Sequence, residues 1–71
     1  MNLTDAIIKK EYAVKSIDVG DSELVCFLLT LGCYAGEKIT VIKQSKSGCI
    51  ISIRGAKYSI DSRLARSISI E

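Results

Sequence analysis

The chain has no histidine, no proline and no tryptophan among its 71 residues. Without an imidazole it lacks the commonest general base and the usual partner of a serine or cysteine nucleophile, so hydrolytic triads are excluded. Aromatic side chains are scarce: Tyr12, Phe27, Tyr34 and Tyr58 are the whole set. Three cysteines, Cys26, Cys33 and Cys49, form no CxxC and leave an odd thiol, unlike the even, closely spaced framework of small secreted domains. They are expected to be reduced and to pack as small apolar residues. A structural zinc site would need a carboxylate as fourth ligand, so no metal centre is expected. Long apolar runs are missing too. The longest, the run that contains Val25 to Leu29, falls far short of the roughly 20 residues of a membrane-spanning helix. Met1 to Lys9 carries no charged stretch ahead of an apolar segment, so no signal peptide is expected and a cytoplasmic location follows.

What is present argues for a folded, strand-rich chain. Hydrophobic residues make up 48% and charged residues 25%, with a mean hydropathy of +0.27, too apolar for intrinsic disorder. The core must be aliphatic, built chiefly from eleven isoleucines, and β-branched residues favour strands. A chain this short buries only about 60% of the surface it exposes when unfolded, which leaves room for one domain over 1–71. The net charge of +2 and pI near 8.5 lie below the strongly basic range of a dedicated nucleic-acid-binding domain.

Patterning places the elements. Tyr12 to Val19 reads as a strand whose apolar positions change face between 14 and 17, which predicts a bulge near Lys15 and Ser16. Gly20-Asp21-Ser22 supplies a turn and an N-cap for a helix over 22–31, with Leu24, Phe27, Leu28 and Leu31 on one stripe and Gly32 at the C-cap. Lys38 to Lys43 is a strand, Ser45 to Gly48 a turn, and Cys49 to Arg54 a strand with 49, 51 and 53 on one face. Gly55-Ala56 turns into a strand through Tyr58 and Ile60. Asp61 or Ser62 caps a helical turn over 63–66, and Ile68 and Ile70 end the chain as a last strand. Five short antiparallel strands without a disulfide are best stabilised by curling, which leaves few free edges. The expected fold is mostly β: a small, partly open barrel of about five antiparallel strands, with one short α-helix after the first. A helix at that point favours an SH3-like over an OB-type barrel.

The stretch Leu28-Leu29-Thr30-Leu31-Gly32-Cys33-Tyr34-Ala35-Gly36 resembles the pattern of the ferrous iron transport protein A (FeoA) family: leucine, two variable residues, Leu-Gly, three variable residues, Gly, then a strand. Leu3, Val14, Ile17, Gly48, Gly55 and the ending Leu64 to Ile70 extend the resemblance along almost the whole chain. The chain departs from that pattern at Phe27, where the family often has Arg, at Ala35, where Pro is usual, and at Lys9-Lys10-Glu11, where a glycine usually precedes the first strand. The resemblance implies an SH3-like domain, a fold also found at the C-terminus of iron-dependent repressors. It further implies a noncatalytic accessory of ferrous iron uptake, acting with the cytoplasmic part of the membrane-embedded transporter FeoB, which carries a GTP-binding domain. The chain would then reach the inner face of the membrane through that partner, without inserting.

Candidate partner-binding residues are Leu24, Phe27, Cys33, Tyr34 and Ala35, on the helix and the glycine-bounded loop after it. Phe27 stands at a position usually polar in the family, and loop aromatics such as Tyr34 are favoured in interfaces. Packing alone accounts for Leu24 and Leu28 more readily. Lys43, Lys46, Arg54 and Lys57 could line a basic edge facing an acidic partner, phosphate or an anionic membrane, though such charges commonly serve solubility. Asp18, Asp21 and Glu23 form a carboxylate cluster for which helix capping outranks cation binding. No cofactor and no nucleic acid are expected. The competing readings are a small nucleic-acid-binding barrel and an iron-linked regulatory module.

Overall fold

The computed structural model describes residues 1–17 and 22–71. Its elements are a short 3-10 turn (Leu3–Asp5), β1 (Glu11–Ile17), α1 (Ser22–Thr30), β2 (Lys38–Gln44), β3 (Gly48–Ile53), β4 (Ala56–Asp61), α2 (Ser62–Ser67) and β5 (Ile68–Ile70). All five strands join one antiparallel sheet in the order β4-β3-β2-β1-β5. The sheet does not close, so β4 and β5 are its two ends. Laid flat, those ends would stand about 19 Å apart at the usual strand spacing. Yet α2, which joins them, has six residues and spans only about 9 Å as a helix. The sheet must therefore curl. Its curl is assisted by register shifts between Val14 and Ser16 of β1 and between Val41 and Lys43 of β2, bulges that bend a strand and tighten its twist. The first lies where the change of face in the sequence predicts it.

Inside the curl sits the aliphatic core. Leu3, Leu28, Cys33, Ile39, Val41, Ile51, Ile53 and Ile68 are at most 1% exposed. Six of the eleven isoleucines are buried, and β3 buries Cys49, Ile51 and Ile53 while Ile50 and Ser52 stay half-exposed. The two helical segments are fixed by local chemistry. At α2, the Leu64 amide donates to the Asp61 carboxylate at 2.8 Å, an N-cap, and the buried Ser67 hydroxyl donates to the Leu64 carbonyl at 2.7 Å. At the chain start, Asn2 accepts from the Thr4 amide and donates its own amide to Asp5, a capping box. This holds Leu3 in the core.

Three details differ from the sequence reading. The β3–β4 turn is Arg54–Gly55, not Gly55–Ala56: φ is +53° and +82° at these residues, and Ile53 pairs with Ala56. This is the two-residue hairpin geometry that prefers Asn or Gly first, a preference that Arg54 conceals. Cys26 is exposed, and only Cys33 and Cys49 pack as small core residues. The helical segment at 63–66 is a capped helix over Ser62–Ser67. The expected turn and cap at Gly20 and Asp21, and the strand end at Asp18 and Val19, lie outside the described residues.

At Gly48 a Cβ would overlap the Ile60 carbonyl oxygen and come within 2.8 Å of the Asp61 Cα, both backbone atoms of β4 that cannot step aside. Gly48→Ala is expected to cost about 3 kcal/mol, the upper end of overpacking. Asp61→Ala, which removes only a cap, should cost about 1 kcal/mol. Chemical denaturation of both variants checks the order: an equal effect would mean that Gly48 is not the tighter constraint.

Candidate functional site

The surface of interest begins with the way α1 ends. The Gly32 amide donates to the Leu29 carbonyl at 3.0 Å and the Cys33 amide to the Leu28 carbonyl at 3.1 Å, with Gly32 at φ +98°. These two bonds and the left-handed glycine make a Schellman cap. Its customary apolar contact is supplied by Leu28 and Cys33, both fully buried. The chain then turns again: the Glu37 amide donates to the Tyr34 carbonyl at 2.9 Å, with Gly36 at φ +89°. A positive φ at Gly36 without one at Ala35 defines a type II turn, which places Ala35 where proline is favoured. Hydrogen bonds from the Val14 amide to the Glu37 carbonyl and from the Gly36 amide to the Val14 carbonyl tie this loop to β1.

Tyr34 and Phe27 stand outside this frame at 50% and 46% exposure, and Ala35 is exposed at the turn. Leu24 and Leu31 are half-buried against the core. Cys33 is a correction: the structure withdraws its side chain entirely from the surface, because the Schellman cap turns it inward beneath the loop. Sequence reasoning missed the rest of α1. Six of its nine residues are apolar, yet of those six only Leu28 is fully buried. Val25 and Leu29 are half-exposed, and Cys26 is exposed. A helix apolar on every side is ordinarily covered on every side. The signal was there in the unbroken run Leu24 to Leu29, which is wider than one buried stripe.

The four basic residues do not form one edge. Lys46 lies in the β2–β3 turn and Arg54 in the β3–β4 turn, at opposite ends of β3 and separated by its length of about 17 Å, while Lys43 on β2 and Lys57 on β4 flank β3 at Ile50 and Ser52. Arg54 is also engaged: its Nη2 donates to the Glu37 Oε2 at 2.9 Å. That hydrogen bond holds the Glu37 carboxyl below its usual range. The pair's contribution is present above the unfolded carboxylate's pKa and fades as pH falls through the lowered folded one; solvent screening keeps it small. A pocket of about 340 Å³ lies near Lys43, lined in part by Ser45, Ser47, Ser59 and Asp61. Several of its polar groups are already committed, Ser45 to the Gly48 carbonyl and Asp61 to the Leu64 amide. Among the described residues no group of three or more His, Cys, Asp or Glu is placed to hold a metal ion. The carboxylates Asp18 and Asp21 lie outside them. No helix among the described residues is long and apolar enough to cross a membrane.

An open five-stranded antiparallel sheet, with a helix after its first strand and a short helix before its last, is an SH3-like domain. The chain belongs to the FeoA family: the FeoA domain model matches it over residues 1–71. Solved structures agree on the fold. The iron(II) transport protein A of Clostridium thermocellum superimposes with a TM-score of 0.89 at 22% identity, over 100% of this chain and 44% of that one. An iron uptake regulatory protein (FeoA) gives 0.88 at 24% identity, over 99% of this chain and 93% of that one. The manganese-activated repressor ScaR gives 0.85 at 18% identity, and there this chain spans 34% of the longer protein. No protein of curated function matches the chain in sequence. Family membership supports a general accessory role in ferrous iron uptake.

Two tests follow from the geometry. Burial pushes the Cys33 thiol up to about 11 and raises that of Cys49, so both should resist alkylation near about pH 8 while exposed Cys26 reacts. Mass spectrometry should find one label per folded chain and three after denaturation; rapid labelling of Cys33 in the folded protein would contradict its burial. Ala35→Pro should raise stability by about 0.4–1 kcal/mol, by restricting the unfolded chain at a position that already suits proline. A lowered denaturation midpoint would show that the turn is not of type II.

Proposed function

We propose that this chain is a noncatalytic, cytoplasmic accessory of ferrous iron uptake that binds the cytoplasmic part of a FeoB-type transporter through α1 and the Tyr34 turn. The observation that carries the reading is the mismatch between the composition of α1 and its burial: one of its six apolar residues is fully buried, Phe27 on it is exposed, and exposed Tyr34 follows it. Exposed apolar surface of this kind, close to a rigid capped loop, is suited to recognition. Family membership supplies the transport context. Phe27 and Tyr34 would be the anchors, since aromatics dominate binding energy at interfaces. Leu24 would shape the inner margin of the contact and Ala35 its rim. Iron is the cargo of the process and is not assigned a site on this chain.

The test is binding of the purified cytoplasmic GTP-binding domain of a FeoB-type transporter. Phe27→Arg and Tyr34→Ala should each weaken it about tenfold, which corresponds to roughly 1.4 kcal/mol, with unfolding midpoints unchanged. Wild-type affinity in both variants would remove the named surface, and absence of binding by the unmodified chain would remove the partner.

A further inference from the structure

The turn Ile7-Ile8-Lys9-Lys10, which leads into β1, lies outside the surface proposed above. Ile7 is 63% and Ile8 44% exposed, although both are large aliphatics in a chain that buries most of its isoleucines. Lys9 and Lys10 follow directly and are exposed. The backbone is held in this form at some cost: Lys9 adopts φ +70° without being glycine, a conformation that L side chains avoid. Three amides of the turn are nevertheless satisfied within the protein. Lys9 donates to the Val41 carbonyl at 2.7 Å, Lys10 to the Ile7 carbonyl at 3.2 Å, and Ile7 to the Tyr12 phenol oxygen at 3.0 Å. Lys10 also rests its ammonium 5.4 Å from the Tyr12 ring centre. The nearest acids in sequence are Asp5, whose carboxylate accepts from the Asn2 amide, and Glu11, which opens β1.

From these features we infer that the Ile7–Lys10 turn docks on an anionic lipid bilayer surface. The tip is a single turn with two adjoining aliphatic side chains, too small for the central patch of a protein interface. A bilayer requires no matching shape. It accepts aliphatic side chains at the level of the acyl boundary while neighbouring lysines stay among anionic headgroups. The internally bonded amides let the tip enter that layer without leaving those donors unmet. Lys43, exposed on β2, lies two residues beyond Val41, whose carbonyl anchors Lys9. The Tyr34 turn joins β1 at Val14, about 10 Å further along the strand than Glu11. A contact at Ile7 and Ile8 can therefore coexist with a protein bound at α1. The attachment is superficial and adds to whatever a partner in the same membrane supplies.

Sedimentation of the full chain with vesicles tests the inference, using phosphatidylcholine alone and phosphatidylcholine mixed with phosphatidylglycerol. The chain should bind the mixed vesicles and release as salt rises, because screened lysines no longer hold it. It should bind the neutral vesicles at least about fivefold less. The double variant Ile7→Ser/Ile8→Ser, exposed and so without effect on folding, should lose about as much affinity for the mixed vesicles. Phe27→Ser should bind them as the unmodified chain does. No binding by the unmodified chain, equal binding to both vesicle types, an unaffected double variant, or loss in Phe27→Ser instead would each overturn the assignment.

Discussion

Curling of a single sheet is the constraint on which the rest of the molecule depends. Five short strands can shelter isoleucines on one face only, and a flat sheet of that size would leave this face wet. Bending it round brings the inward residues of β2 and β3 against Leu3 and Leu28, and lets a helix of six residues join the two outermost strands. Local features that look incidental serve that bend. The two bulges, the bare backbone of Gly48 against β4 and the capped turn that drives Leu3 inward are all needed for the interior to exclude water. In a chain of this size, each is a sizeable fraction of total stability.

What curling does not consume is left outside, and the remainder is uneven. α1 gives Leu28 fully to the core and leaves the rest of its apolar side chains partly or wholly uncovered. The Schellman cap at Gly32 and the type II turn at Gly36 then fix where Tyr34 emerges. The surface proposed for recognition is thus mounted on hydrogen-bonded backbone, which would limit the ordering entropy lost on binding. The basic side chains contribute little to this surface, because Lys43, Lys46 and Lys57 lie on β2, the turn after it and β4, and Glu37 engages Arg54.

Much of the fold could be read from spacing. Strict alternation in 49, 51 and 53 and the change of face in β1 reflect a half-buried, bent sheet directly. Gly32 marks the end of α1 because only glycine takes that conformation without strain. The failures share a cause: each residue occupies a place its type does not advertise. Arg54 sits left-handed in a hairpin turn, so the turn reads one residue late. Cys33 follows a glycine in a loop and is nonetheless drawn beneath it. Ile7 and Ile8 look like core residues and are exposed. The start signal at Asn2 and Asp5 was present, but a three-residue 3-10 turn has no periodicity to confirm it. The candidate site was legible in Phe27, Tyr34 and Ala35, while the breadth of α1 was hidden by reading it as a single buried stripe.

Tyr12 has a practical consequence. The chain lacks tryptophan, so its near-ultraviolet dichroism comes chiefly from three tyrosines. Tyr34 is exposed and Tyr58 half-buried, whereas Tyr12 is 6% exposed and its phenol oxygen holds the Ile7 amide. The asymmetry that such bands require is therefore concentrated in one ring. The protein carries a built-in optical gauge that registers, in a single spectrum, the packing of β1 and the seating of the segment before it.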